Sequence, residues 1–326
     1  MKSVTKAILL VGGKGTRLAP LTNRTPKPML KVAGRPVTEH QIIKAREAGI
    51  TELILATSYL AEVFEPYFGD GSRFGLSIKY AVEEVPLGTG GAIANAAAAL
   101  NLADDDSVVI FNGDVLSSHS LQNQIQMHLE KSADVTLYLT KVTDPRAYGC
   151  VPFDASNRVI DFLEKMENPI TDTINAGCYI FNSRSIKHIP RNTVVSVERE
   201  TFPELLRNGA GLYGYLDNSY WIDMGTPQSF IKASRDLVLN PELSPATQGV
   251  KDEALIGEGV VIDPSANIGG GSSVEAGCRI GAGVVLWGSM VERNVIIEDG
   301  AHIHDSFIAE NQKVAANQIV SNQLIG

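Results

Sequence analysis

The sequence predicts an α/β protein: a doubly wound sheet domain over residues 1–240, a linker at 241–250, and a short parallel β-helix over residues 251–326. Three observations predict it. Short apolar runs alternate with helical patterns through the first 240 residues. The stretch Asn240 to Val250 then holds two prolines and no periodicity. Beyond it, aliphatic residues recur every six positions.

The strand candidates are Ala7 to Val11, Glu52 to Ala56, Ile78 to Ala81 and Ser107 to Phe111. Each is a short apolar run of the kind buried on both faces of a central sheet. Helical patterns lie at Pro36 to Ala48, Ala61 to Phe68 and the alanine-rich Gly91 to Leu100. This β-α-β-α rhythm implies a mostly parallel sheet. A β-rich stretch follows from Asp134 to Phe181, then helical patterns near Glu198 to Asn208 and Pro227 to Leu239. In such a sheet the ligand sits beyond the carboxyl ends of the strands, at a switch in strand order. The loops after Val11, Ala81 and Phe111 are therefore where a site is expected. In the tail, Ile256, Ile262, Ile268, Val274, Ile280 and Leu286 keep six-residue steps. The frame is then read as slipping by one, with Val285, Val291, Ile297 and Ile303 carrying it on. Each is expected to point into the prism, which has about four coils.

Composition narrows the function. The formal net charge is -9. Residues 251–326 hold 4 Lys+Arg and 10 Asp+Glu, so most of the acidic excess lies in the tail. No basic face for nucleic acid is expected. A bound anion such as a nucleotide must be held by a few positioned cations against the background field. No apolar run is long enough to span a membrane, and no secretory signal is read. Three cysteines without CxxC spacing imply a reduced, cytoplasmic protein. No His/Cys cluster has zinc spacing, and His302 and His304 alternate along the β-helix as solvent-facing residues.

The strongest local motif follows the first strand: Gly12-Gly13-Lys14-Gly15-Thr16-Arg17. A glycine-rich strand-to-helix loop offers backbone N–H groups to phosphate oxygens. The spacing is neither that of a P-loop nor that of a dinucleotide fingerprint, and a tight turn is the alternative. Lys27 lies between Pro26 and Pro28, on a stiff segment. Asn112-Gly113-Asp114 ends a buried strand, and Trp221-Ile222-Asp223 is a second aspartate after an apolar pair. Two carboxylates suit Mg2+, which takes hard oxygens from protein and substrate phosphates together. For Asp114 an ordinary turn aspartate is the alternative.

The loop continues as Leu18-Ala19-Pro20-Leu21-Thr22 and Thr25-Pro26-Lys27-Pro28-Met29-Leu30. The whole stretch resembles the signature of the sugar-1-phosphate nucleotidyltransferases. Within that family it is most similar to the mannose-1-phosphate guanylyltransferases. The similarity runs on through Pro86-Leu87-Gly88-Thr89-Gly90-Gly91, Asn112-Gly113-Asp114, Lys141 to Val151, Asn175-Ala176-Gly177 and Trp221-Ile222-Asp223-Met224-Gly225. It implies a Rossmann-like domain with a mixed sheet, followed by a left-handed β-helix. It also implies in-line attack of a sugar-1-phosphate on the α-phosphorus of an NTP, assisted by Mg2+.

Residue by residue, the resemblance implies a catalytic set of Arg17, Lys27, Asp114 and Asp223, the two aspartates holding the metal. Arg17 takes the triphosphate, as a guanidinium fork does, and Lys27 lies near the α-phosphate. The nucleotide would further meet Gly12, Gly13, Gly15, Thr16, Glu83, Gly88, Thr89 and Gly113. Gly149, Glu164, Lys165 and Asn175 would hold the sugar phosphate. The family's proline after Lys165 is replaced here by Met166. Glu83 stands where thymidylyl and uridylyl relatives carry glutamine. A carboxylate only accepts, and guanine presents two adjacent donors, so Glu83 favours GTP; Glu84 or backbone groups are the alternative readers. The expected substrates are GTP and mannose-1-phosphate, with glucose-1-phosphate or another hexose-like phosphate, and a pyrimidine NTP, as alternatives. A silent nucleotide-sugar sensor and an acyltransferase tail are further readings. The β-helix is expected to mediate homo-oligomerisation, because a short β-helix has open ends and exposed coil faces.

Overall fold

The four apolar runs become four adjacent parallel strands. The protein is described by a computed structural model over residues 3–13, 15–19, 21–23, 25–58, 60–247 and 253–326. Its contacts divide the chain into two units: Met1–Gly13 with Gln41–Trp221, and Lys14–His40 with Ile222–Gly326.

The first unit contains a nine-stranded sheet. Its strands are β1 (Lys6–Leu10), β2 (Glu52–Thr57), β3 (Ser77–Val82), β4 (Ser107–Asn112), β5 (Val135–Lys141), β6 (Gly149–Cys150), β7 (Leu163–Glu164), β8 (Thr173–Asn182) and β9 (Leu212–Leu216). The order is β7-β6-β8-β4-β1-β2-β3, with β5 also on β8 and β9 on β5. Strands β4, β1, β2 and β3 run parallel, as the rhythm predicts. The ten-residue β8 lies antiparallel to both β4 and β5, so the sheet is mixed. The core is built from strand residues such as Ile8, Ile54 and Ile110. Against them pack Ile93, Ala94 and Ala97 of the helix Gly88–Ala97, whose alanines let it lie close. Val37–Glu47 is also helical, and Ala61–Val63 forms a 3-10 turn before the short helix Phe64–Phe68. The pattern near Glu198 becomes a π-helical turn, Val197–Thr201, leading into the helix Phe202–Arg207.

The second unit contains the helix Pro227–Leu239, started by a Thr226–Ser229 capping box with Pro227 at its first position. It also contains three parallel sheets that make a triangular prism. One sheet stacks Ala254–Ile256, Ser272–Val274, Met290–Val291, Phe307–Ile308 and Leu324–Ile325. This is the hexapeptide β-helix, consistent with the left-handed form. Val274, Ile280, Leu286, Val291, Ile297, Ile303, Ile308, Val314 and Val320 fill its interior.

Two details of the frame differ from expectation. Val285 is not an interior residue; Leu286 is, and the next inward residue is Val291. The slip is a five-residue step at one corner, and it recurs between Ile303 and Ile308. At that corner Ser272, Ser289 and Ser306 are buried and stacked. Each hydroxyl donates to a carbonyl of its own coil: Ser272 to Gly269, Ser289 to Trp287 and Ser306 to His304. Each accepts the N–H of the next coil, from Ser289, Ser306 and Gln323 at 3.1–3.2 Å. The ladder satisfies backbone groups that the tighter corner takes out of the sheets. Ile256 and Ile262, in the first coil, are 41% and 36% exposed rather than enclosed. The linker's first residues form 3-10 turns at Pro241–Leu243 and Pro245–Thr247, and its remainder, 248–250, lies outside the described residues. All three cysteines are free and buried.

Candidate active site

Strand order decides where the first unit gathers its functional residues. Leu10 of β1 lies opposite Asn112 of β4, so the turns after these two strands are neighbours. Gly113 donates its N–H to Leu10 O at 2.9 Å. A Cβ at Gly113 would stand 2.3 Å from that oxygen, so only glycine lets the turn close and present Asp114. Gly12 packs on Ser58, whose hydroxyl bonds Gly12 O at 2.6 Å. Gly13 has nothing within 4 Å of its would-be Cβ, so its backbone is open to a ligand.

Glu83 directly follows β3. Its Oε2 accepts the Leu87 N–H at 3.3 Å, while Oε1 is buried with no hydrogen-bond partner among the described residues. Burial raises its pKa above the usual carboxylate range, with the Leu87 N–H partly opposing. Glu84 points to solvent.

The glycines of the next loop serve packing. A Cβ at Gly88, Gly90 or Gly91 would meet Val195 or Thr193 within 2.8 Å, so segment 193–195 lies directly on the start of the helix Gly88–Ala97. Thr89 Oγ1 accepts the Val197 N–H at 2.9 Å and donates to Glu198 Oε2 at 2.8 Å. The Thr89 hydroxyl is thus engaged inside the protein, and the backbone of Gly88 and Thr89 is what remains for a nucleotide.

The expected sugar residues collect around β6 to β8. Gly149 pairs with Glu164, and its would-be Cβ meets Glu164 Oε2 at 2.8 Å. Lys165 follows in the left-handed region, φ +54°, a conformation that costs a non-glycine residue energy. Its Nζ lies 3.6 Å from Glu164 Oε1. Asn175 begins an irregularity in β8, where the pairing shifts between Asn175 and Tyr179 and Gly177 takes φ +78°. Its amide donates to the buried Tyr179 hydroxyl at 2.9 Å. That hydroxyl also receives Asn112 Nδ2 at 3.3 Å and reaches Glu198 Oε1 at 3.5 Å. Burial, and next the Glu198 charge, raise the pKa of Glu164. Sequence reading missed Glu198 and Tyr179. The π-helical turn that aims Glu198 leaves no periodic signal, although such turns concentrate at functional sites.

The second unit holds the other residues. Gly15 has φ +61° and packs on Lys27, with its would-be Cβ 2.9 Å from Lys27 Cβ. Thr22 Oγ1 ties the loop by donating to Gly15 O at 3.0 Å. Lys27 is buried between its two prolines, and its Nζ lies 3.8 Å from Asp223 Oδ1. The structure therefore joins the expected catalytic lysine and one expected metal carboxylate. Thr16 and Arg17 are exposed on the turn Thr16–Leu18. A Cβ at Gly225 would be 3.1 Å from both terminal nitrogens of Arg17. Gly225 thus gives the guanidinium a flat place to lie, a role invisible in sequence. Lys14 lies outside the described residues.

Among the described residues, no group of three His, Cys, Asp or Glu could hold a metal ion. Single carboxylates at Asp114 and Asp223 match the donor set of a cation that takes most of its oxygens from substrate and water. No helix among the described residues is long and apolar enough to cross a membrane.

Comparison with known proteins agrees with this layout. Residues 6–239 match the nucleotidyl transferase family, and residues 253–286 match the bacterial transferase hexapeptide (six repeats). A mannose-1-phosphate guanylyltransferase of Mycobacterium tuberculosis is 51% identical over 298 residues, covering 91% of this chain and 82% of the relative. The catalytic subunit beta of the Drosophila melanogaster mannose-1-phosphate guanylyltransferase is 35% identical, covering 82% and 72%. Among solved structures, HddC from Yersinia pseudotuberculosis superposes with a TM-score of 0.62 at 27% identity, over 72% of this chain and all of that one. With its sheet, its glycine-rich loop and its hexapeptide tail each accounted for, the chain belongs to the nucleotidyl transferase family.

Proposed function

We propose that this protein transfers the guanylyl group of GTP to mannose-1-phosphate, giving GDP-mannose and pyrophosphate. The sugar half of the reading rests on the 51% identical relative, whose name states that substrate. The observation that supports the base is Glu83, an acceptor-only carboxylate held at the end of β3 by the Leu87 N–H.

In the proposed reaction a phosphate oxygen of the sugar phosphate attacks the α-phosphorus of GTP. The bond from that phosphorus to the bridging oxygen breaks, and pyrophosphate leaves. Two polyanions must meet, so positioned cations carry much of the catalysis. Arg17, laid flat on Gly225, is placed to clamp phosphate oxygens through its fork. Lys27, stiffened by its prolines and Gly15, supplies a buried ammonium for the α-phosphate. The open backbone of Gly13 and the first-turn backbone at Gly88 and Thr89 supply N–H donors. Glu164 and Asn175 accept and donate to ring hydroxyls, and Lys165 holds the sugar phosphate. Asp114 and Asp223 are the residues that would hold Mg2+, which when bound neutralises phosphate charge. The three free, buried cysteines support a reducing, cytoplasmic location. Incubation with GTP, mannose-1-phosphate and MgCl2 should form GDP-mannose and pyrophosphate in equal amounts. Absence of both products would overturn the reading.

We also propose self-association through the β-helix. Ile256, Ile262, Trp287 and Ile319 are 36–73% exposed on it, apolar side chains that association would cover. Light scattering should give a multiple of 35.0 kDa; a monomer mass would contradict it.

A further inference from the structure

The turn that carries Asp114 is held from the side by one helix. Within Val37–Glu47, Gln41 and Lys44 are three residues apart and so share a face. Gln41 is 5% exposed, and its Nε2 donates to Asn112 O at 2.7 Å and to Val115 O at 2.8 Å. Lys44 Nζ donates to Ser117 O at 2.8 Å and reaches Ser117 Oγ at 3.2 Å and His119 Nδ1 at 2.9 Å. These acceptors bracket Asp114 on both sides. On the opposite flank, Gly113 is pinned by Leu10 O.

A lysine is an unusual choice for that task, because burying its stem and ammonium costs energy unless the bonds it makes matter. Burial brings its pKa down to about 8. His119, stacked on Tyr138 at 3.8 Å, is kept neutral by burial and then by the Lys44 charge. Its Nδ1 is therefore available to accept from Lys44, while Nε2 donates to Gln124 Oε1 at 3.1 Å. Neither Gln41 nor Lys44 touches the Asp114 carboxylate in any described bond. Gln41 holds two backbone carbonyls that flank it, and Lys44 holds a third together with the Ser117 hydroxyl and the His119 ring.

We propose that Gln41 and Lys44 are positioning residues for Asp114: together they clamp the carbonyls of turn 112–117, so that the carboxylate is set before metal and nucleotide arrive. This rests on the metal role of Asp114 proposed above. Removing either donor takes that bond from the carbonyls of the turn and loosens it, without altering any group that meets substrate. The expected signature is weaker metal binding and a lower kcat, with the KM for mannose-1-phosphate unchanged.

The test compares Gln41→Met and the milder Lys44→Gln with a control, Gln122→Ala. Gln122 bonds Glu47 O at the end of the same helix but not the turn. Two readouts serve: Mn2+ binding to the free protein by electron paramagnetic resonance, and amide exchange over residues 113–118 without metal. The clamp predicts roughly tenfold weaker Mn2+ binding, the scale of losing a residue that orients a metal ligand, and faster exchange over 113–118 in both clamp variants, with the control unchanged. Unchanged Mn2+ affinity and exchange in the clamp variants would overturn it, as would equal losses in the control. Asp114→Asn separates the two claims. If it leaves Mn2+ binding intact, the metal role of Asp114 fails. If it abolishes binding while the clamp variants bind normally, only the clamp fails.

Discussion

Replacing Glu83 with glutamine changes one atom, and the structure says which way the new amide must point. The Leu87 N–H lies 3.3 Å from Oε2 and needs an acceptor. If the amide nitrogen took that place, two donors would face each other and a hydrogen bond would be lost, at a cost of about 1–3 kcal/mol. The glutamine oxygen therefore stays on Leu87, and its NH2 occupies the buried Oε1 position. In the proposed base contact that NH2 would meet the N1–H and N2 amino donors of guanine, donor against donor. Losing a base-edge contact of this kind costs roughly 1–3 kcal/mol, or about 5- to 150-fold in kcat/KM for GTP. The same NH2 suits the carbonyl oxygens of a pyrimidine, so relative use of UTP and dTTP rises. The assay is pyrophosphate release at saturating mannose-1-phosphate with each NTP in turn. Acid pH offers an internal check. Burial has raised the pKa of Glu83, so the carboxylate protonates earlier than usual as pH falls, turning an acceptor into a donor. GTP efficiency in the wild type should drop on that acid limb, and the glutamine variant should lack the component. An unchanged GTP preference in Glu83→Gln would show that the base is read elsewhere, by Glu84 or the backbone.

Asp114→Asn and Asp223→Asn should each lower Mg2+-dependent turnover by at least about 10²-fold, the scale of losing one charge-stabilising group, with circular dichroism unchanged; near-normal turnover in either would contradict its metal role. Lys165→Ala should raise the KM for mannose-1-phosphate far more than that for GTP, and an equal rise in both would count against it. Ser289→Ala removes one rung of the β-helix ladder, leaving the Ser306 N–H and the Trp287 carbonyl without that partner. It should cost about 1–3 kcal/mol in denaturant unfolding; a shift within measurement error would show that the ladder is dispensable.

Much of this fold is legible in sequence because its central pieces obey simple periods. The inner parallel strands are mostly apolar, so Ser107–Asn112 shows itself as a run. The helix Pro227–Leu239 announces both its cap and its first proline. Other pieces hide because polar residues take inward positions. The helix Leu121–Glu130 buries Gln124 and His128 beside Leu121 and Ile125, so no apolar stripe marks it. The five-residue steps from Leu286 to Val291 and from Ile303 to Ile308 break a strict six-residue count, and so the slip is read one residue early, at Val285. At the site, motif residues such as Asp114, Lys27 and Glu164 stand out by type and spacing. Their supports do not. Tyr179, Glu198 and Gly225 act through long-range contacts that only folding brings about.

Guanylyl transfer to mannose-1-phosphate is decided by a matrix of kcat/KM values: GTP, ATP, UTP and dTTP against mannose-1-phosphate and glucose-1-phosphate, with the nucleotide sugar identified by mass. GTP with mannose-1-phosphate should exceed every other pair and yield GDP-mannose. A maximum at a pyrimidine nucleotide with glucose-1-phosphate, or no nucleotide sugar from any pair, would contradict it.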